Sequence, residues 1–154
     1  MLNMTKWTGL ILVAALSGCA GVEQQGSFER GAGLLGDGSG YQPLVMVKMP
    51  LSTCDHPAFV LGFKHSYVQR WNQQVNAKII EYTEATSKPQ SGAAAQNKLA
   101  LYKSRLIGAS AEVGQAAYTS RCPAESYKNG QAEGARKADE NLNLLAQQDP
   151  LRTP

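Results

Sequence analysis

Two stretches of helical periodicity meet at a breaker, Lys88-Pro89-Gln90-Ser91-Gly92, and this constrains the fold more than any other feature of the chain. Before it, from Pro57 to Ser87, Val60, Lys64, Tyr67 with Val68, Trp71, Val75, Ile79 and Tyr82 recur every three or four residues. After it, Ala95, Leu99, Tyr102, Leu106, Ala109, Val113 and Ala116 follow in alternating steps of four and three, a heptad seam. Two helices of roughly 28 residues joined by so short a turn run antiparallel. Cys54 and Cys122 each lie 34 positions from Lys88, so a hairpin folded there brings them to the same open end. The spacing thus predicts an all-α fold built on a long antiparallel helical hairpin.

The amino end carries a different signal. Lys6 supplies a basic start, Trp7 to Leu16 form an apolar run, and small residues follow. Roughly 20 apolar residues are needed to span a bilayer, and this run has about half of that, so it reads as a secretory signal. Leu16-Ser17-Gly18-Cys19 resembles the lipobox of bacterial lipoproteins. The resemblance implies that residues 1–18 are removed, that Cys19 is thioether-linked to diacylglycerol, and that its new amine is acylated. Each buried CH₂ contributes about 0.8 kcal/mol, so two or three chains anchor firmly where one does not. Ala20, in place of an aspartate-type retention signal, implies the outer membrane, facing the periplasm, with surface exposure as the alternative. An ordinary secretory signal with Cys19 as a stray thiol is the competing reading.

With Cys19 assigned to lipid, Cys54 and Cys122 remain as an even pair in an oxidising compartment, and a disulfide is expected. Such a bridge stabilises by about 4 kcal/mol in the chain-entropy description. Two free buried thiols are the alternative.

Residues 20–40 contain seven glycines and little that would build a core, so residues 19–42 are expected to be a lipidated cysteine followed by a flexible tether. The run Gly31 to Gly40 lacks the Gly-Lys-Ser/Thr ending of a phosphate loop. A single α-helical domain is expected over residues 43–149. Leu44 to Met49 is β-prone and short, one extended strand with no evident partner. Past Cys122, Pro123 suits a first helical position and Tyr127, Gly130, Gly134, Ala138, Leu142 and Leu145 line one face of a third helix ending before Pro150. Gly130 and Gly134 read as a close-packing stripe against the hairpin. Gly108 and Gly114 mark where the second helix would kink or break. Residues 150–154 are expected to be a loose tail.

Charge is concentrated on the hairpin. Residues 56–121 hold eight cations, Lys64, Arg70, Lys78, Lys88, Lys98, Lys103, Arg105 and Arg121, against Glu81, Glu84 and Glu112. The first seven are a candidate contact face for anionic headgroups, peptidoglycan or an acidic protein; a solvated helix face is the bland alternative. Nucleic acid is not an expected partner.

Catalytic signals are thin. Cys54-Asp55-His56-Pro57 is the one stretch resembling a reactive cluster, yet neighbouring side chains point apart, and an oxidised Cys54 is no nucleophile. His56 and His65 fit no zinc framework, and no cofactor or metal is expected. Glu81 and Glu84 lie one helical turn apart, as solvating residues do. Trp71 and the tyrosines read as core, or as a partner groove if exposed. The sequence therefore predicts a non-enzymatic interaction or structural role at the envelope: an accessory of an envelope, secretion or conjugation assembly, or an immunity or exclusion factor. A peptidoglycan-associated enzyme or its inhibitor, and a self-associating structural lipoprotein, are the alternatives.

Overall fold

The structure, a computed structural model, describes residues 35–89, 92–108 and 117–147 together with the backbone of 24–28. Cys19, the signal segment and the tail from residue 148 lie outside the described residues, as do the seam positions Ala109, Val113 and Ala116.

Helix α1 runs from His56 to Thr86. It starts there because the Asp55 carboxylate accepts the Ala58 N–H at 2.8 Å while Pro57, with no N–H of its own, occupies the first turn. It stops at Ser87, where the hydroxyls of Thr86 and Ser87 bond the carbonyls of Thr83 and Glu84, just ahead of Pro89. Helix α2, Ala93–Lys103, returns antiparallel along α1, stacking Tyr102 on Tyr82 with ring centres 5.7 Å apart. Helix α3, Arg121–Gln147, then runs parallel to α1: Cys122 meets Cys54 at its start, and Asp139 meets Arg70 and Gln74 further along.

The domain is all-α, closed by the Cys54–Cys122 disulfide with Cα atoms 5.9 Å apart. The bond ties the entry of α1 to the first turn of α3.

Mutual approach of α1 and α3 follows from small side chains. Ser126, Gly130, Gly134 and Ala138 recur every four residues along α3 and all are buried. A methyl group added at Gly130 would overlap the Phe59 carbonyl, and one at Gly134 the Phe63 carbonyl. On α1, Gly62 stands in the same relation to the Tyr127 carbonyl. The backbones therefore touch, and the glycines' cost of about 1 kcal/mol each in helix propensity is offset by this packing. The core is made by Phe59, Phe63, Tyr67, Val68, Trp71 and Val75 of α1 with Val45, Val47, Tyr102, Ile107 and, from α3, Ala138.

Two expectations need correction. Among the described residues the second hairpin arm is helical to Lys103; Ser104 and Arg105 form a turn, and Ile107 pairs with Gly40 as an isolated bridge. The polar backbone groups of this stretch are claimed from outside: the Trp71 indole donates to the Arg105 carbonyl at 2.6 Å, and Tyr41 N–H to the Leu106 carbonyl at 2.6 Å. Leu106 and Ile107 are thus held by tertiary partners instead of a helical seam.

The segment expected to be a tether is also part of the fold from residue 24 onward among the described residues. Strand β1, Gln24–Phe28, pairs antiparallel with β2, Val45–Met49, placing Gln24 opposite Met49 and Phe28 opposite Val45. The β-prone stretch therefore has a partner after all. Leu35 is buried in the core. Of the glycines that suggested flexibility, Gly40 serves geometry: it has φ +71° and sits so close to the Leu106 carbonyl that no side chain fits.

Candidate partner-binding cleft

The seven cations of the expected contact face fall into several surroundings. Arg70 turns to α3 and binds Asp139 side-on, Nε at 2.8 Å and Nη2 at 3.3 Å. That hydrogen bonding and charge raise its pKa still further. Lys78 donates to Glu81 at 2.7 Å, which likewise raises its pKa. The Lys98 ammonium lies 5.7 Å from the Tyr82 ring centre, and the Arg105 guanidinium 5.0 Å from that of Tyr41. Lys64 is half-buried on α1, whereas Lys88 in the turn and Lys103 at the end of α2 are exposed. Only Lys78 and Lys98 are brought together, lining an open cleft of about 560 Å³ with Tyr82, Tyr102 and the end of α3.

The residues around the reactive-looking tetrapeptide have structural work. Cys54 is in the disulfide, Asp55 caps α1, and His56 is exposed at its first position. Ser126 joins them, its hydroxyl accepting the Asp55 N–H at 3.1 Å. His65 places Nδ1 3.0 Å from the Tyr127 hydroxyl, and burial, aided by Lys64, lowers its pKa. Among the described residues no three His, Cys, Asp or Glu side chains converge as metal ligands, and no helix is long and apolar enough to cross a membrane.

A cleft that the sequence does not delineate lies where residues 41–44 ahead of β2, α1, Arg105 and α3 meet. It has a volume of about 190 Å³ and is lined by Tyr41, Pro43, Leu44, Tyr67, Trp71, Arg105, Asn141, Leu144 and Leu145. Its wall is a ladder of stacked rings. Phe63 stacks on Tyr67 at 5.8 Å, Tyr67 on Trp71 at 6.0 Å, and Trp71 on Tyr41 at 5.6 Å; Arg105 caps the series. The ladder forms because Phe63, Tyr67 and Trp71 are four residues apart on one face of α1. Asn141 donates to the Tyr67 hydroxyl at 3.0 Å, and burial pushes that phenol's pKa up to about 12.

At the mouth stand Leu44 and Leu144, 61% and 54% exposed. Both line the cleft and leave aliphatic surface in water beside its walls. The Arg105 Nε is screened from water and has no hydrogen-bond partner. Leaving such a donor unsatisfied costs about 1–3 kcal/mol, more for a charged group. The arrangement can hold a small anionic or apolar side chain presented by another molecule. Of its residues, the sequence flags Trp71, Tyr67 and Arg105, and it places Tyr41 in the expected tether. Leu44, Asn141 and Leu144 carry no signal of their own, since four separate segments assemble the site. No known protein family, curated protein or solved structure matches this chain.

Proposed function

We propose that this protein is an outer-membrane lipoprotein, anchored through Cys19, whose disulfide-closed helical domain binds another envelope protein through the cleft flanked by Leu44 and Leu144. The supporting observation is the exposure of those two leucines around a wall of Tyr41, Trp71 and Arg105. Tyrosine, tryptophan and arginine in a small pocket, ringed by apolar contacts, are the composition of an interface hot spot. The anchor contributes by confinement, raising the effective concentration of the domain near a membrane-bound partner. A photo-crosslinker at position 144 in intact cells tests both halves. The wild-type chain is expected to yield an adduct with an envelope protein. Cys19→Ser is expected to move the chain to the soluble fraction with an unchanged helical spectrum and to lose the adduct. An undiminished adduct from the released chain would overturn the tethering mechanism, and a wild-type chain without any adduct would overturn the protein-contact role.

A further inference from the structure

Resting on that reading, we propose that the cleft receives a carboxylate, an Asp or Glu side chain of the partner protein with an aliphatic neighbour, and that Arg105 is the residue that recognises it. The molecule itself supplies the comparison. Among the described residues there are four arginines, and three meet carboxylates of this chain: Arg70 with Asp139, Arg121 with Glu125, and Arg136 with Glu133 and Glu140. Arg105 meets only the Tyr41 ring and has an unpartnered Nε. Among the described residues no acidic side chain lines its cleft. Arg70 shows that a carboxylate satisfies such a group here; with its Nε screened from water, Arg105 meets a ligand in the cleft through its terminal Nη groups.

Size and polarity narrow the ligand. A volume of about 190 Å³ is below the range of ordinary small-molecule sites and suits a single side chain. Leu44 and Leu144 at the rim favour an aliphatic residue next to the acid, and the Tyr41 ring, with its centre 5.0 Å from the guanidinium carbon, helps hold the cation at the cleft. A lipid phosphate would be flanked by water and headgroups, whereas the two leucines call for apolar contact beside the anion.

The test is a titration of the full domain, disulfide intact, followed by the amide and indole resonances of Tyr41, Trp71, Asn141 and Leu144. The probes are acetyl-Leu-Asp-Leu-amide and its Asn counterpart, with vesicles containing phosphatidylglycerol as a third arm. Saturable shifts at these four residues are expected with the Asp peptide, at least about tenfold tighter than with the Asn peptide. Arg105→Gln is expected to abolish the difference and Arg105→Lys to restore only part of it. Equal binding of the two peptides, shifts centred elsewhere, or a response to vesicles in place of the Asp peptide would each overturn the assignment. The peptide comparison uses the wild-type chain and does not depend on the variants folding. If the position-144 adduct persists undiminished in Arg105→Gln, the protein-contact role stands and the carboxylate assignment falls.

Discussion

The side-chain amide of Asn72 grips the backbone of Ile107 at both ends, donating to its carbonyl at 2.7 Å and accepting its N–H at 2.9 Å. A side chain on α1 thus plays the part of a neighbouring β-strand. On the opposite flank Ile107 bridges to Gly40, with Gly108 N–H donating to the Ser39 carbonyl at 2.7 Å. The chain after α2 is therefore held between a helix and a glycine-rich loop, and through Arg105 this placement builds the cleft.

Asn72→Ala should strand two backbone groups of a buried residue. A loss of about 2–4 kcal/mol of stability is expected, read as a lower urea midpoint at unchanged slope. Asn72→Asp keeps the acceptor but loses the donor and sets a carboxylate against a carbonyl, so it should be no milder. Near-wild-type stability in both variants would show that the grip is dispensable.

Gly130→Ala tests the contact between α1 and α3. Alanine gains about 1 kcal/mol in helix propensity, but its methyl collides with the backbone carbonyl of Phe59, which cannot swing away. Overpacking of about 1–3 kcal/mol or more is expected to win, lowering the thermal midpoint. Gly92→Ala is the control, because a side chain there meets open space and should change stability by no more than about 0.5 kcal/mol.

The disulfide spans a sequence separation of 68. Replacing both cysteines by alanine should lower stability by about 4 kcal/mol through the freed unfolded chain. The α1–α3 backbone contact should persist, so the circular-dichroism spectrum at low temperature is expected to match wild type.

Two titrations give opposite pH dependences. His65 has a folded pKa below its ordinary 6.5, so the unfolded chain takes up the proton first. Its contribution is complete above that value and is lost as pH falls through the folded pKa. Urea midpoints should drop on acidification below pH 6.5, and less so in His65→Gln. Tyr67, pushed up to about 12 from an ordinary 10.0, works the other way. Stability is lost as pH rises from 10 toward 12, and Tyr67→Phe should flatten that limb. Phenolate absorbance followed with rising pH should show a late-titrating component in wild type that the variant loses.

Much of the helical framework was legible along the chain. The three-to-four-residue spacing of Tyr67, Trp71 and Val75, the start at Pro57, the breaker at Pro89 and the Gly130–Gly134 stripe are local patterns whose consequences are local. Phe59 and Phe63, however, are more deeply buried than Val60 and Lys64, which the periodicity favours. The meeting of Cys54 and Cys122 was legible too, because a turn at equal distance from both carries them to one end. The lipid anchor at Cys19 rests on the sequence alone. By contrast, Leu106 satisfies a heptad on paper.

The sequence by itself determined where α1 and α3 begin, which of their faces are buried, and which cysteines pair. The tertiary structure decided that the second arm unwinds after Lys103, that residues 24–28 pair with β2, and that Tyr41, Trp71, Arg105 and Asn141 share one cleft. The physical reason is range. Periodicity and caps act within a few residues, while the Asn72 amide, the Trp71 indole and the peptide groups of 37–41 compete for the 105–108 backbone from far along the chain, and their combined hydrogen bonds outweigh a weak helical seam.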